Sequence, residues 1–291
     1  MAVVMIVFLL LAASCQAFIL LQPPLLHSRV RTIVHSTTKD VDPLDYDVPD
    51  TLFELDPSIN PVSGHNDSED KIIREELKRE LLLLASVSDR GLFLSDEEKD
   101  IVVDIITQLE ALNPTDDTAI ECYGEWDLVL TSTQAWRSSP FFQSIRSALN
   151  DKATADNAFS LHEGATSIGK VGRVKQIISE DGSFISEVEL EVGVMPGMPF
   201  TIKGTVVSKA SFNVVGADEW ELSIQTTQVK KSNVPFLDQL IDDYPVELPV
   251  GNVYDRVRGS VPVFSFKTYF VDDSLRITRD VDDHFYVFSR V

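Results

Sequence analysis

In Gly124-Glu125-Trp126-Asp127-Leu128-Val129-Leu130-Thr131 the large side chains Trp126, Leu128 and Leu130 stand at every second position. A period of two is that of a β-strand with one covered face. The alternation is complete in Glu187-Val188-Glu189-Leu190-Glu191-Val192 and clean again in Glu219-Trp220-Glu221-Leu222-Ser223-Ile224. Weaker strand patterns occupy 170–179, 201–208, 211–215, 263–268, 274–279 and 284–291. Turn signals such as Asp181-Gly182 and Gly216-Ala217-Asp218 separate them. Residues 119–291 therefore read as an all-β barrel or sandwich, long enough for one barrel of eight or more strands. One interruption, 138–150, carries Phe141, Phe142, Ile145 and Leu149 at helical spacing and predicts a short helix.

Upstream the period changes. Ile73, Leu77, Leu81 and Leu84 recur at helix spacing among charged residues, and this helix ends near Asp89-Arg90-Gly91. A second helix starts at Ser95, an N-cap with Glu98 in the capping-box position. Val102, Ile105, Ile106, Leu109 and Leu112 form its apolar face, and Asn113-Pro114 stops it. Residues 69–118 thus read as a helical hairpin that needs something to pack on.

The start of the chain reads as an address. Residues 2–13 are apolar and uncharged, and Ser14-Cys15-Gln16-Ala17 supplies a cleavage site, so 1–17 reads as a signal peptide; a signal anchor reaching Leu21 is the competing reading. Residues 18–39 hold Arg29, Arg31, Lys39 and several hydroxyls but no acid, the composition of a transit peptide. That order resembles the bipartite leader of proteins imported into secondary plastids, and Ala17-Phe18 matches the pair usual at its junction. A plain secreted protein is the alternative. Residues 40–68 carry many acids, four prolines and no Lys or Arg, and read as a flexible linker.

The formal charge is −21 over 291 residues. Such a balance excludes a basic nucleic-acid footprint and charge-driven docking on an anionic membrane. Two cysteines exclude a disulfide framework and a cysteine-rich metal site; with Cys15 in the leader, Cys122 reads as a small buried hydrophobe. No catalytic residue stands out. The five histidines are scattered without metal-ligand spacing, no Gly-x-Ser-x-Gly elbow occurs, and Gly169-Lys170-Val171-Gly172 fits a bulged strand better than a phosphate loop. Glu187, Glu189 and Glu191 fall on a solvated strand face. No cofactor is implied.

Gly124-Glu125-Trp126 has the spacing that opens lipocalin barrels, where the glycine permits close approach and the tryptophan plugs one end. Four blocks in order resemble the plastid lipid-associated proteins, or plastid fibrillins. They are Asp89-Arg90-Gly91; Leu109-Glu110 with Asn113-Pro114; Gly124-Glu125-Trp126 with Leu128, Leu130, Thr131 and Ser132; and Asp272-Asp273-Ser274-Leu275-Arg276-Ile277-Thr278-Arg279. The resemblance runs from about Glu75 to the C-terminus. Phe270, Asp280 and Tyr123 depart from it. It implies a lipocalin-like antiparallel barrel preceded by a helical hairpin, located in plastids at thylakoids or lipid droplets. It also implies binding of prenylquinones, carotenoids or other isoprenoids, without catalysis.

On that basis Trp126, Leu128, Leu130, Val188, Leu190, Trp220, Leu222, Phe264 and Phe266 are expected to line a pocket for a small lipophilic ligand, with 138–150 closing one mouth. Gly124, Arg276 and Arg279 are expected to be structural, one of the arginines covering Trp126 by a cation–π contact rather than pairing with Asp272, Asp273 or Asp280. A second reading is a coat protein on lipid droplets or thylakoids that touches lipid through exposed Phe141 and Phe142. A third, an isoprenoid- or pigment-modifying enzyme, would use His162, Glu163 or His284.

Overall fold

The period-two segments do form strands, and their hydrogen bonds return on themselves. The computed structural model describes residues 67–149, 151–166, 169–193, 201–233, 238–239, 243 and 247–291. Its elements are α1 (Asp67–Val87), α2 (Asp96–Ala111), β1 (Gly124–Thr131), α3 (Pro140–Ala148), α4 (Lys152–Thr166), β2 (Gly169–Ile178), β3 (Ser183–Gly193), β4 (Thr201–Val214), β5 (Glu219–Ser232), β6 (Glu247–Leu248), α5 (Val250–Arg258), β7 (Val263–Val271), β8 (Leu275–Arg279) and β9 (Phe285–Arg290). The expected leader and most of the acidic linker lie outside the described residues; α1 begins at Asp67, inside the expected linker.

All pairings are antiparallel in the order β4-β3-β2-β1-β9-β8-β7-β5, and β4 pairs with β5 to join the two ends, while β6 adds at Thr227 and Gln228. A sheet that meets its own edge leaves few unpaired backbone groups to recruit another chain. The two strands expected at 201–208 and 211–215 are one, β4, paired along β5 with a register shift between Lys209 and Ala210. The residue that shift leaves unpaired is Gln225 of β5, while β4 itself pairs with β3 without a break from Thr201 to Ser211. Helices α4 and α5 were not expected: the apolar face of α4 is mainly Ala155 and Phe159, too sparse for a periodicity signal.

Inward side chains form two stacked clusters. One joins Trp126, Leu128, Val174, Phe184, Val188, Trp220, Leu222, Phe264, Phe266, Tyr286 and Phe288. The other, at the opposite end, joins Ile224 and Val229 to Trp136, Phe141, Phe142, Phe159 and Tyr254 from the helices. A third cluster lies outside the ring. Leu81, Ile105, Ile106 and Leu109 of the hairpin cover Leu130, Phe270, Leu275, Ile277, Phe285 and Val287. β8 and β9 are therefore covered on both faces, which is why their sequence alternates weakly.

The hairpin is held by the resemblance blocks themselves. Asp89, Arg90 and Gly91 take successive positive φ values of 47°, 62° and 94°. This turn brings the Arg90 carbonyl to the Thr131 amide at 3.1 Å and its guanidinium to the Val171 and Gly172 carbonyls on β2. A Cβ on Gly91 would stand 2.7 Å from the Thr131 oxygen, so only glycine fits. Arg279 meets Glu110 in a two-pronged pair at 2.8 and 3.0 Å, and Asn113 accepts from the Val271 amide at 3.1 Å. Lys78 reaches Asp272 at 2.7 Å. The Ser95–Glu98 capping box is present as read.

Candidate functional site: the interior of the strand ring

One end of the ring is closed around Trp126. Its Nε1 donates to the Cys122 carbonyl at 2.7 Å. Arg290 lies 4.2 Å from the ring centroid and donates to the Tyr123 carbonyl at 3.0 Å. Gly124 has φ +125°, and a Cβ there would meet Arg290 Nη1 at 2.7 Å. The Gly-x-Trp spacing thus makes room for an arginine over the indole, a contact worth about 1 kcal/mol at an exposed site. Arg290 stands directly opposite Trp126 in the β1–β9 pairing. Sequence reading looked for this arginine on β8 and missed it, although Tyr286, Phe288 and Arg290 share one strand face.

Arg276 also lies over Trp126, at 5.0 Å, so the cation–π expectation holds for it. It also lies 4.3 Å from Phe288 and 5.9 Å from Trp220. It is not the solvated salt bridge that was the competing reading: its exposure is 0%. Burial pushes its guanidinium down to about 10, so it is still a cation at neutral pH. Its Nη2 donates to Gln176 Oε1 on β2, and Gln176 Nε2 donates to the Ser138 carbonyl at 3.3 Å. Arg279 points the other way, out of the ring, to Glu110 and Asp283. Successive residues of a strand face opposite sides, and three residues of separation put the two arginines on different faces.

Beside Arg276 runs a buried chain of hydroxyls. Trp220 Nε1 donates to Thr268 Oγ1 at 2.9 Å, and that hydroxyl lies 3.3 Å from both Thr278 Oγ1 and Cys122 Sγ. Burial pushes the Cys122 thiol upward, which suits the inert reading and not a nucleophile.

The opposite end is occupied by α3, whose face is almost wholly buried. Phe141 and Phe142 are 6% and 9% exposed, and Phe142 packs on Trp136 at 4.3 Å. The expectation of lipid-touching exposed phenylalanines is therefore corrected: both are part of the packing between α3 and the ring, because the helix presents them to the strands rather than to solvent. Asp280 anchors this end. It accepts from Tyr286 Oη at 2.9 Å and from the Asp282 and His284 amides at 3.0 Å each, and sits 3.2 Å from His284 Nδ1. Burial pushes its carboxyl up, but these donors outweigh burial and hold it below the usual range. Burial together with Asp280 raises the Tyr286 hydroxyl well above its ordinary value.

Of the residues expected to line a pocket, Trp126, Leu128, Val188, Trp220, Leu222, Phe264 and Phe266 share one inward cluster, and Leu190 packs against it. Leu130 does not. A register shift between Leu128 and Leu130 moves it outward, under Leu81 and Ile106 of the hairpin. Among the proposed catalytic candidates, Glu163 is exposed and accepts from Gln134, His284 serves the Asp280 turn, and the side chain of His162 lies outside the described residues. Among the described residues no group of three or more His, Cys, Asp or Glu side chains could hold a metal ion, and no helix is long and apolar enough to cross a membrane.

No curated protein sequence matches the chain. Among solved structures, an uncharacterized protein from Bacteroides eggerthii DSM 20697 is similar over 40% of this chain and 81% of its own, at 12% identity and a TM-score of 0.21, too low to carry an argument. The family PAP_fibrillin matches residues 75–289, a span that takes in most of the hairpin, its anchoring turns and the strand ring up to Ser289. The chain therefore belongs to the PAP_fibrillin family, the plastid fibrillins.

Proposed function

We propose that this fibrillin is a non-catalytic carrier whose strand ring works as a lipocalin-like barrel for one small lipophilic molecule, a prenylquinone, carotenoid or other isoprenoid. It acts at thylakoids or plastid lipid droplets, reached through the bipartite leader. The observation that supports this most is the inward convergence of Trp126, Leu128, Trp220, Leu222, Phe264 and Phe266 from three strands of one ring. A guest that leaves a few hundred Å² of apolar surface in such surroundings gains several kcal/mol at about 25 cal/mol per Å². Mass spectrometry of lipids extracted from the natively purified full chain tests it. A prenyl lipid near one per chain is the expected result. A chain that neither carries nor takes up any lipid refutes it.

The coat reading is supported at a different place from the one expected. Val87, Leu92 and Phe93 are exposed around the turn of the hairpin. Apolar contact there would seat the protein on a lipid surface that its negative charge cannot bind. Flotation with liposomes that is lost in Phe93→Asp, with no lipid in the ring, would favour this role over carriage. Catalysis gains no support from His284, whose ring meets Asp280 at 3.2 Å inside a turn that the same carboxylate builds with Tyr286 and backbone donors.

A further inference from the structure

A cation sits inside the ring with nothing of opposite charge beside it. Arg276 is fully buried, and it makes no ion pair among the described residues. Of its donors, Nη2 serves Gln176, while Nε and Nη1 have no hydrogen-bond partner among the described residues. The Trp126, Trp220 and Phe288 faces offset part of the charge but leave those N–H groups unspent. The Cys122 sulfur lies beside the guanidinium as a weak acceptor, but burial pushes its thiol upward and it supplies no counter-charge. A buried charge without partners is costly, and proteins keep one where a ligand completes it.

The surroundings are also polar where a grease-only binder needs no polarity. Gln176, Ser186, Ser208 and Thr227 stand in register across β2, β3, β4 and β5. All four are buried. Ser208 and Thr227 hydroxyls bond each other at 3.1 Å, and the Ser186 hydroxyl, 0% exposed, has no partner among the described residues. Their strand neighbours Phe184, Val188, Ala210 and Phe212 belong to the interior cluster. The belt therefore faces inward, and its Gln176 and Ser186 lie among the residues of that cluster. The guanidinium reaches it from β8, past β9 and β1, by its bond to Gln176.

We propose that Arg276, with Gln176 and the Ser186 hydroxyl, is the head-group subsite of the ring, and that it takes the carboxylate of a lipid acid whose chain lies against the apolar wall. This rests on the reading that the ring admits a lipid guest. A carboxylate supplies the missing charge and accepts from the free donors; a neutral isoprenoid supplies at most an acceptor.

The test compares oleic acid, oleyl alcohol and sodium acetate on the full chain by native mass spectrometry and tryptophan quenching. Oleate is expected to bind about tenfold to a hundredfold more tightly than oleyl alcohol, as a charge-assisted hydrogen bond gives. Acetate alone binding as well as oleate would mark a free-anion site and overturn the lipid assignment. Arg276→Met is expected to abolish the preference for oleate over oleyl alcohol; Arg276→Lys, which keeps the charge, should retain part of it. Equal affinity of the wild-type chain for oleate and its alcohol overturns the subsite but leaves the carrier reading standing. Binding of neither overturns the subsite, and the isoprenoid carrier is then judged by the lipids that co-purify with the chain. The wild-type comparison needs no variant to fold.

Discussion

Replacing Gly124 by alanine tests how the closed end of the ring is built. The backbone at Gly124 has φ +125°, a region that an L-residue occupies at a cost of about 1–3 kcal/mol. The new Cβ would also stand 2.7 Å from Arg290 Nη1. That atom is the far end of a flexible, exposed side chain, so it can swing out, and the steric part reduces to the contacts it abandons. Those are the face of Trp126 and the Tyr123 carbonyl, together about 1 kcal/mol at an exposed site. The expected loss for Gly124→Ala is therefore about 2–4 kcal/mol, read from urea unfolding followed by tryptophan fluorescence. Arg290→Ala alone should cost about 1 kcal/mol, since it loses the same contacts without backbone strain. Combined, the two changes should be less than additive by that same amount, because alanine at 124 has already expelled the arginine. Strict additivity would show that Gly124 and Arg290 do not share a contact. A Gly124→Ala loss below about 0.5 kcal/mol would show that the left-handed backbone is not required.

Arg279→Met should destabilise by about 1–3 kcal/mol by leaving Glu110 half-buried and unpaired, and should expose the hairpin turn near residues 87–95 to limited proteolysis before the strands are cut. Phe142→Ala should cost about 3–5 kcal/mol, as a buried aromatic does, with no change in liposome flotation; a flotation defect at unchanged stability would restore the idea of a lipid-facing helix. The Arg146 guanidinium, hydrogen-bonded to Asp282 at 2.6 and 2.8 Å, holds that carboxyl below its ordinary 3.8. A carboxyl depressed by folding adds stability above its ordinary value and loses it as the pH falls through the folded one. Unfolding free energy should thus be level from neutral pH to about 5 and fall below about 4, with a shallower fall in Asp282→Asn.

The departures from the family blocks have a physical use. Asp280 stands where the resemblance favours glycine, and its carboxylate builds the turn into β9 while tying Tyr286 and Gln143 together at the α3 end. Phe270 stands where tyrosine is usual, and it is fully buried beneath the hairpin, where a hydroxyl would need a partner.

Local pattern determined much of this molecule. The alternation at 187–192 and 219–224 marked β3 and β5, because each has one face inward and the other toward solvent, and that at 124–128 marked β1 up to its bulge. The capping box and the Asn113-Pro114 stop marked α2, because end chemistry is local. The four blocks marked the family. What pattern alone did not reach depended on partners distant in the chain. Leu130 turned outward through a bulge that only the pairing with β9 defines. Phe141 and Phe142 are buried because α3 meets the strand ring, which no helical period reveals. The arginine over Trp126 proved to be two arginines, Arg276 from inside and Arg290 across the β1–β9 pair, since register and not sequence distance sets who faces whom. The belt that joins Gln176 to Thr227 spans four strands and exists only once the ring is closed, so no window of sequence contains it.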